Sequence, residues 1–360
     1  MIVRDEAGAI ERLLDSVREL IDYWVICDTG SIDGTQALAQ AALEGLPGEL
    51  HEREWVNFGH NRSELLELAR AKADYLLLLD ADMTVTCDRQ GLRGLCADSY
   101  MLRHAADPEY WIKRLVRGDR HWWYVGATHE YITTDEPDVT ENLDAIVIHH
   151  HPDRGTRAEK FKRDLRLLVS ELGRDPDNPR TVFYLAQTLR DSGRLDEAIR
   201  LYRRRSTMGG WPEEVFYALY QVGVLAARAG RRDEALAALF NAWSGRPERA
   251  EPLYELARLF RESADHHAAH LVSERGIRIR IPGDTLFVHR WIYEWGLLFE
   301  YSIAAYWVGQ PSAALQACDR LLQMPHLPEH FRKQTEINRS YCLDVVRGTA
   351  HVSSTGSMSR

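Results

Sequence analysis

Three segments of the 360-residue chain run from apolar residues into carboxylates. They are Met1-Ile-Val-Arg-Asp-Glu6, Val25-Ile-Cys-Asp-Thr-Gly-Ser-Ile-Asp-Gly-Thr35 and Leu76-Leu-Leu-Leu-Asp-Ala-Asp82. The sharpest is Asp80-Ala-Asp82. At the end of a strand, residues i and i+2 point the same way, so both carboxylates can face one ion. Hard oxygen ligands of this kind suit Mg2+ or Mn2+ bound to phosphate. Alone, the triplet reads first as a solvated turn capping a strand; the apolar run before it and the two companion segments reverse that and favour a site. His129 and Glu130 pair an imidazole with a carboxylate, two side chains that serve as general bases when burial tunes them. His149-His-His151 closes the apolar run Ala145 to Ile148. Alternation puts His149 and His151 on one face and His150 on the other. A neutral imidazole there could bind metal, or the three could be surface histidines at a domain junction.

These residues need strands whose carboxyl ends meet. The first 150 residues alternate short apolar runs with helical periods. Met1 to Val3, Tyr23 to Cys27 and Tyr75 to Leu79 read as strands. Glu11 to Ile21, Thr35 to Leu43 and Arg62 to Lys72 read as helices, and Leu50 to Trp55 as extended. Tyr110 to Val116, Trp122 to Thr133 and Ala145 to His149 read as later strands with turns between them. The alternation predicts a parallel sheet covered on both faces. In such a sheet, strand carboxyl ends line the ligand crevice, so Asp5, Asp28, Asp80 and Asp82 should converge. Asp33 reads as a cap for the helix from Thr35.

After Thr156 the strand signals stop and helix–turn–helix units recur. A small residue suited to a close helix crossing stands at Ala186, Gly223, Ala257 and Ser302, steps of 37, 34 and 45 residues. These bracket the 34-residue tetratricopeptide period. The alternative is a generic helical bundle. The tail from Thr349 to Arg360 is small and polar, a composition expected to be disordered. The division expected is 1–152, 156–347 and a 348–360 tail.

Composition narrows the function. With 45 basic and 54 acidic residues the net charge is −9, which argues against bulk nucleic-acid binding. No run approaches the roughly 20 apolar residues of a spanning helix, and Arg4, Asp5 and Glu6 do not fit a signal peptide. Five scattered cysteines without a CxxC pattern predict reduced thiols and a cytoplasmic protein.

The three acidic segments resemble the nucleotide-sugar-binding signatures of family 2 glycosyltransferases of the GT-A fold. Asn57-Phe-Gly-His-Asn-Arg62 and Gly126-Ala-Thr-His-Glu-Tyr131 are similar to segments of a branch that includes lipopolysaccharide-core glucosyltransferases. Phe183-Tyr-Leu-Ala-Gln-Thr188, Gly209-Gly-Trp-Pro-Glu-Glu214 and Arg249-Ala-Glu-Pro-Leu-Tyr254 resemble the tetratricopeptide extension of a subset of these enzymes. Together the similarity spans about residues 1 to 345. It implies an α/β GT-A nucleotide-sugar-binding domain followed by an all-α tetratricopeptide-like repeat domain.

The resemblance also implies roles. Asp28 would accept a hydrogen bond from the nucleobase or ribose, with Val3, Arg4, Asp5 and Ala81 lining the pocket. Arg62 would meet the diphosphate, or else only solvate the start of its helix. Asp80 would contact ribose or the metal's water shell, Asp82 the Mn2+ or Mg2+ directly, and His150 would complete the metal shell. Glu130, before His129, would be the base. Trp122, Trp123 and Tyr124 could stack on a sugar or lie in the core.

The function expected is an inverting, metal-dependent transfer from a nucleotide-diphosphate sugar, UDP-sugar first among them. The acceptor expected is a peptide or protein side chain bound by the repeats; a glycan or lipid-linked acceptor is the alternative. No Gln-x-x-Arg-Trp motif is present, which disfavours a processive synthase. The other readings are a tetratricopeptide adaptor with a degenerate first half, and a nucleotidyltransferase, whose Gly-rich basic loop is missing. The helical repeats could also pair two copies of the chain.

Overall fold

Helix α1 (Ile10–Val17) shows why the first half folds as it does. Its apolar residues Ile10, Leu13, Leu14 and Val17 are spaced for one helical face, and all four are buried. Ile10 and Leu14 pack with Val3 and Ile26 of a parallel sheet made of β1 (Ile2–Val3), β2 (Trp24–Asp28) and β3 (Gly48–Glu52), while Leu13 and Val17 pack with Met83 and Val85. Helices α1 and α2 (Thr35–Ala42) fill its two crossovers, and α3 (Phe58–Ala69) leads from β3 to the next strand. The computed structural model describes residues 1–105, 110–151, 157–284 and 286–348; the polar tail lies outside them.

The expectation of one parallel sheet holds only for these three strands. A second, mixed sheet has the order β4 (Tyr75–Leu77), β7 (Tyr110–Arg117), β6 (Ser99–Ala105), β10 (Thr140–His150) and β5 (Met83–Cys87). Only β6 and β10 run parallel in it. The reason is connectivity. Among the described residues no α-helix lies between β4 and β10, and strands close in sequence, such as β6 and β7, pair as antiparallel neighbours. Strands β8 (Trp123–Val125) and β9 (Tyr131–Thr133) form a separate hairpin. A cavity of about 310 Å³ separates β2 from β4, lined in part by Ile26, Leu66, Leu77 and Leu115. Leu76 and Leu77 are accordingly only half-buried, whereas Leu78 and Leu79 are buried.

The chain divides into two compact units, Met1–Pro176 and Asp177–Arg360. The first includes α4 (Arg157–Arg174), whose Glu171 accepts the Ala127 amide at 2.9 Å.

The second unit consists of helical hairpins: α5 (Pro179–Asp191) with α6 (Leu195–Ser206), α7 (Pro212–Arg228) with α8 (Arg232–Gly245), α9 (Glu251–Glu262) with α10 (His266–Gly276), and α11 (Leu297–Trp307) with α12 (Pro311–Leu322). Helix α13 (Glu329–Val346) packs on α12. Ala186, Gly223, Ala257 and Ser302 are all buried, one in each first helix. A Cβ on Gly223 would come within 2.6 Å of Leu239 on α8. The long last step comes from the segment before α11, which Arg249 ties down. That guanidinium is fully buried between Glu251 and Asp284, and also donates to the Leu286 and Phe287 carbonyls. Among the described residues, no helix is long and apolar enough to cross a membrane.

Three of the four first helices end on a left-handed glycine: Gly193, Gly230 and Gly309. After α9 the same place is held by Ala264 at φ +58°. A side chain costs about 1–2 kcal/mol in that conformation, part of which glycine returns as unfolded-chain entropy. Ala264→Gly is therefore expected to stabilise the helical unit by roughly 0.5–1 kcal/mol. A urea midpoint that stays put or falls would contradict this.

Candidate active site

The ends of β1 and β2 are tied by their own loops. Asp5, at φ +54°, accepts the Ile32 amide at 2.9 Å and donates its own amide to Ser31 Oγ. Asp33 accepts the amides of Ala7 and Thr35 and the Thr35 hydroxyl. It thus joins the two loops; the cap position of α2 is Gly34 at φ +92°, so Asp33 is not the cap expected from sequence, although it accepts the Thr35 amide one residue further in. The Val3 carbonyl accepts both the amide and the hydroxyl of Thr29. Arg4 is exposed beside it.

Asp28 is buried at the end of β2. Its Oδ1 accepts the amides of Gly30 and Ser31, while Oδ2 is buried without a partner. Burial opposes its charge, but the hydrogen bonds from Ser31, Gly30 and Gln36 outweigh burial and hold its pKa below the ordinary carboxylate value. Ala81 packs in one apolar cluster with Val3 and Ile26. That contact sets Asp80 and Asp82 against the β1–β2 sheet that carries Asp28.

Two motifs far apart in sequence pack directly together. Asn57 caps α3 by accepting the His60 amide. Asn61, fully buried, accepts the Val56 amide and donates to the Glu54 carbonyl. A Cβ on Gly59 would come within 2.2 Å of the Gly126 carbonyl, so only glycine allows this approach. The Phe58 amide donates to the Ala127 carbonyl, and Ser63 Oγ accepts the Tyr124 amide.

Arg62 is the product of that contact. It donates to Asp80 Oδ1, and its Nε lies 2.8 Å from Glu130 Oε1 without pointing along the contact. Its guanidinium lies 5.7 Å from the Tyr124 ring centroid. The other oxygen of Asp80 faces Arg114 at 3.2 Å. Burial again opposes the charge, and Arg62 and Arg114 together hold the Asp80 carboxyl far below the ordinary range. Asp80 is therefore committed to two guanidiniums. Asp82, two residues on, instead faces His150, Oδ2 to Nε2 at 3.2 Å; the histidine is exposed, whereas Asp82 is about as buried as Asp80. His149 and His151 turn the other way, to Thr86 and Thr84. His129 lies at the surface at φ +53°. Trp122 is buried and donates its indole N–H to the Arg117 carbonyl, a core residue rather than a platform.

Sequence reasoning overlooked Arg114 and His104. Arg114 is the extra residue of a β-bulge, since Tyr100 pairs with Leu115 and Met101 with Lys113. His104 is 1% exposed, stacks on Tyr110 at 4.8 Å, and has no partner for either ring nitrogen. Alternation along β6 was the one available sign for His104. A bulge belongs to a strand pair and leaves no mark in one strand.

Burial lowers the His104 pKa from 6.5 to about 4, helped by the positive charges of Arg114 and His150. A native value below the unfolded one means that the unfolded chain takes up the extra proton first. Stability is thus complete above about pH 6.5 and is lost as pH falls toward 4. The expected loss from this group is roughly 2 kcal/mol between pH 7 and pH 5. His104→Phe keeps the stack on Tyr110 and should remove that portion of the slope. Urea unfolding of both proteins at the two pH values checks it, and parallel slopes would refute it.

The glycosyl transferase family 2 model matches residues 1–90, a segment that contains Asp5, Asp28, Arg62, Asp80 and Asp82. A TPR repeat-containing protein of Synechococcus elongatus is 40% identical over 83 residues, 23% of this chain and 19% of that protein. The chain thus spans about a fifth of that relative's length. Among solved structures, MamA overlaps 46% of this chain and 83% of its own at 20% identity, with a TM-score of 0.38. YrrB, titled a TPR protein with an unusual peptide-binding site, overlaps 51% and 85% at 12% identity, with a TM-score of 0.40. Both overlaps are loose. Residues 1–90 are a glycosyl transferase family 2 region of a mixed α/β unit, and a tetratricopeptide-like helical unit follows it.

Proposed function

We propose that the first unit transfers a sugar from a nucleoside-diphosphate sugar, UDP-sugar first among them, with inversion, and that the helical unit binds the acceptor, a peptide or protein side chain. The observation that carries this reading is the Asp82–His150 pair, with Asp82 inside the family 2 region and the exposed His150 beyond it. One carboxylate and one imidazole converging at 3.2 Å fit Mn2+ or Mg2+, with diphosphate oxygens and water as the other ligands. Bound there, the ion would stabilise the negative charge that develops on the leaving diphosphate.

The chain's own groups would do the rest. Asp28 Oδ2, buried and unpartnered, is an acceptor for the nucleobase or ribose, beside Val3, Arg4 and Asp5. Asp80 holds the cations around it. The base is His129 or Glu130. Glu130 is engaged by Arg62, whereas the His129 ring lies at the surface. Glu130 therefore holds Arg62 as well as being, with His129, a candidate for the proton. Turnover and donor binding in Glu130→Gln and His129→Asn separate the two roles.

A second reading has one observation in its favour. Asp80 is spent on two arginines, and among the described residues no three His, Cys, Asp or Glu side chains gather as a metal site. The first half would then be a degenerate transferase on a tetratricopeptide adaptor. Donor hydrolysis in the presence of Mn2+ rules this out; peptide binding without hydrolysis selects it.

The test is thermal shift with nucleoside diphosphates, with and without Mn2+. A ligand at 100 times its Kd stabilises by about 2.7 kcal/mol, several degrees for a unit of this size. Asp82→Asn is expected to fold normally, to lose the Mn2+-dependent part of that shift and to lose most turnover. An undiminished Mn2+ effect would remove Asp82 from the site.

A further inference from the structure

Two cations flank Asp80, and they are committed to different degrees. Arg62 is held on both sides, by Asp80 and by Glu130, and lies against Tyr124. Among the described residues, the Arg114 guanidinium meets Asp80 Oδ2 at 3.2 Å and, at the long distance of 3.4 Å, the Leu78 carbonyl. Its Nε is buried with no partner. A bulge commonly re-aims a side chain beside a functional site, and here it turns a strand residue toward the strand-end carboxylates.

His104 supplies the second observation. It lies on β6 opposite Ile148, and His150 follows two residues later on β10. The two histidines are thus diagonal neighbours on one sheet face. His104 is almost wholly buried, with both ring nitrogens unpartnered. A buried polar group left unsatisfied costs about 1–3 kcal/mol, and such groups call for a partner. The His104 ring lies within electrostatic reach of Arg114, His150 and Asp80.

Resting on the donor-site reading above, we infer that Arg114, not Arg62, is the cation that binds the diphosphate of the donor, with His104 as a further hydrogen-bonding group beside it. Arg114 can turn a donor toward phosphate while Asp80 keeps a cation, because Arg62 stays in place. Arg62 cannot do the same without leaving Glu130 unpaired. The planar guanidinium, with five N–H donors, suits two phosphate oxygens at once.

The experiment is calorimetry on the full chain with UDP, GDP, ADP and dTDP and the matching nucleosides, each with and without Mn2+. The wild type should bind one diphosphate more tightly than its nucleoside. Arg114→Met should weaken that diphosphate at least tenfold, the usual scale for a charge-assisted hydrogen bond, and leave the nucleoside unchanged. The loss should persist without Mn2+, unlike that of Asp82→Asn. Arg62→Lys should keep the ratio of diphosphate to nucleoside affinity. If Arg114→Met does not fold, Arg114→Lys replaces it and should lose part of the diphosphate preference with no change for the nucleoside. A wild-type ratio in the Arg114 variant, or a ratio lost through Arg62→Lys, overturns the inference while the donor-site reading stands. A wild type that binds none of the four diphosphates overturns both.

Discussion

A largely buried guanidinium needs carboxylates on more than one side, and Arg62 gathers them from 18 and 68 positions away. Removing one partner of such a pair leaves an unpaired buried charge, a loss of about 3–5 kcal/mol. Much of the first unit can be understood as meeting that demand. Asn57 opens α3 at a set residue, Asn61 clamps the loop before it, and Gly59 lets the 126–130 loop approach. Glu171 of α4 then holds that loop by the Ala127 amide. Arg62, Asp80, Glu130 and Arg114 alternate in sign, so the cluster is neutral as a set. Asp82 pairs with His150 outside this set of four.

Strand ends solve a related problem. Each carboxylate at the end of β1 and β2 accepts backbone amides of a neighbouring loop: Asp5 from Ile32, Asp28 from Gly30 and Ser31, Asp33 from Ala7 and Thr35. Amide donors let charges lie close together with less mutual repulsion. One oxygen of Asp28 is left over, and that remainder gives the loop a binding capacity beyond its own folding.

The helical unit repeats the theme on another scaffold. Arg205 pairs with Glu214, Arg249 with Glu251 and Asp284, and Arg261 with Glu300, with Arg205 and Arg249 almost fully buried. Buried pairs of this kind add little net stability, but losing one partner is costly. Arg205 and Arg261 tie helix to helix, and Arg249 holds the irregular segment before α11. Phe287 keeps a left-handed backbone, φ +48°, beneath carbonyls that Arg249 fixes.

The sequence alone determined whatever depends on local period and residue type. The acidic strand ends, the α3 helix, the buried small residues at 186, 223, 257 and 302, and the opposed faces of the three late histidines were legible because each follows from spacing along one chain. The boundaries of β4 and α3 differed by a few residues, as hydrogen bonds at element ends depend on neighbours. Tertiary structure decided the rest. The direction of β5 to β10 depends on which strands meet. The aim of Arg114 depends on a bulge shared by two strands. The division of labour between Asp80, turned to two arginines, and Asp82, turned to His150, depends on charges brought together from distant segments. Sequence identifies the carboxylates; only the fold decides which cation each one receives, because ion pairing depends on distance in space.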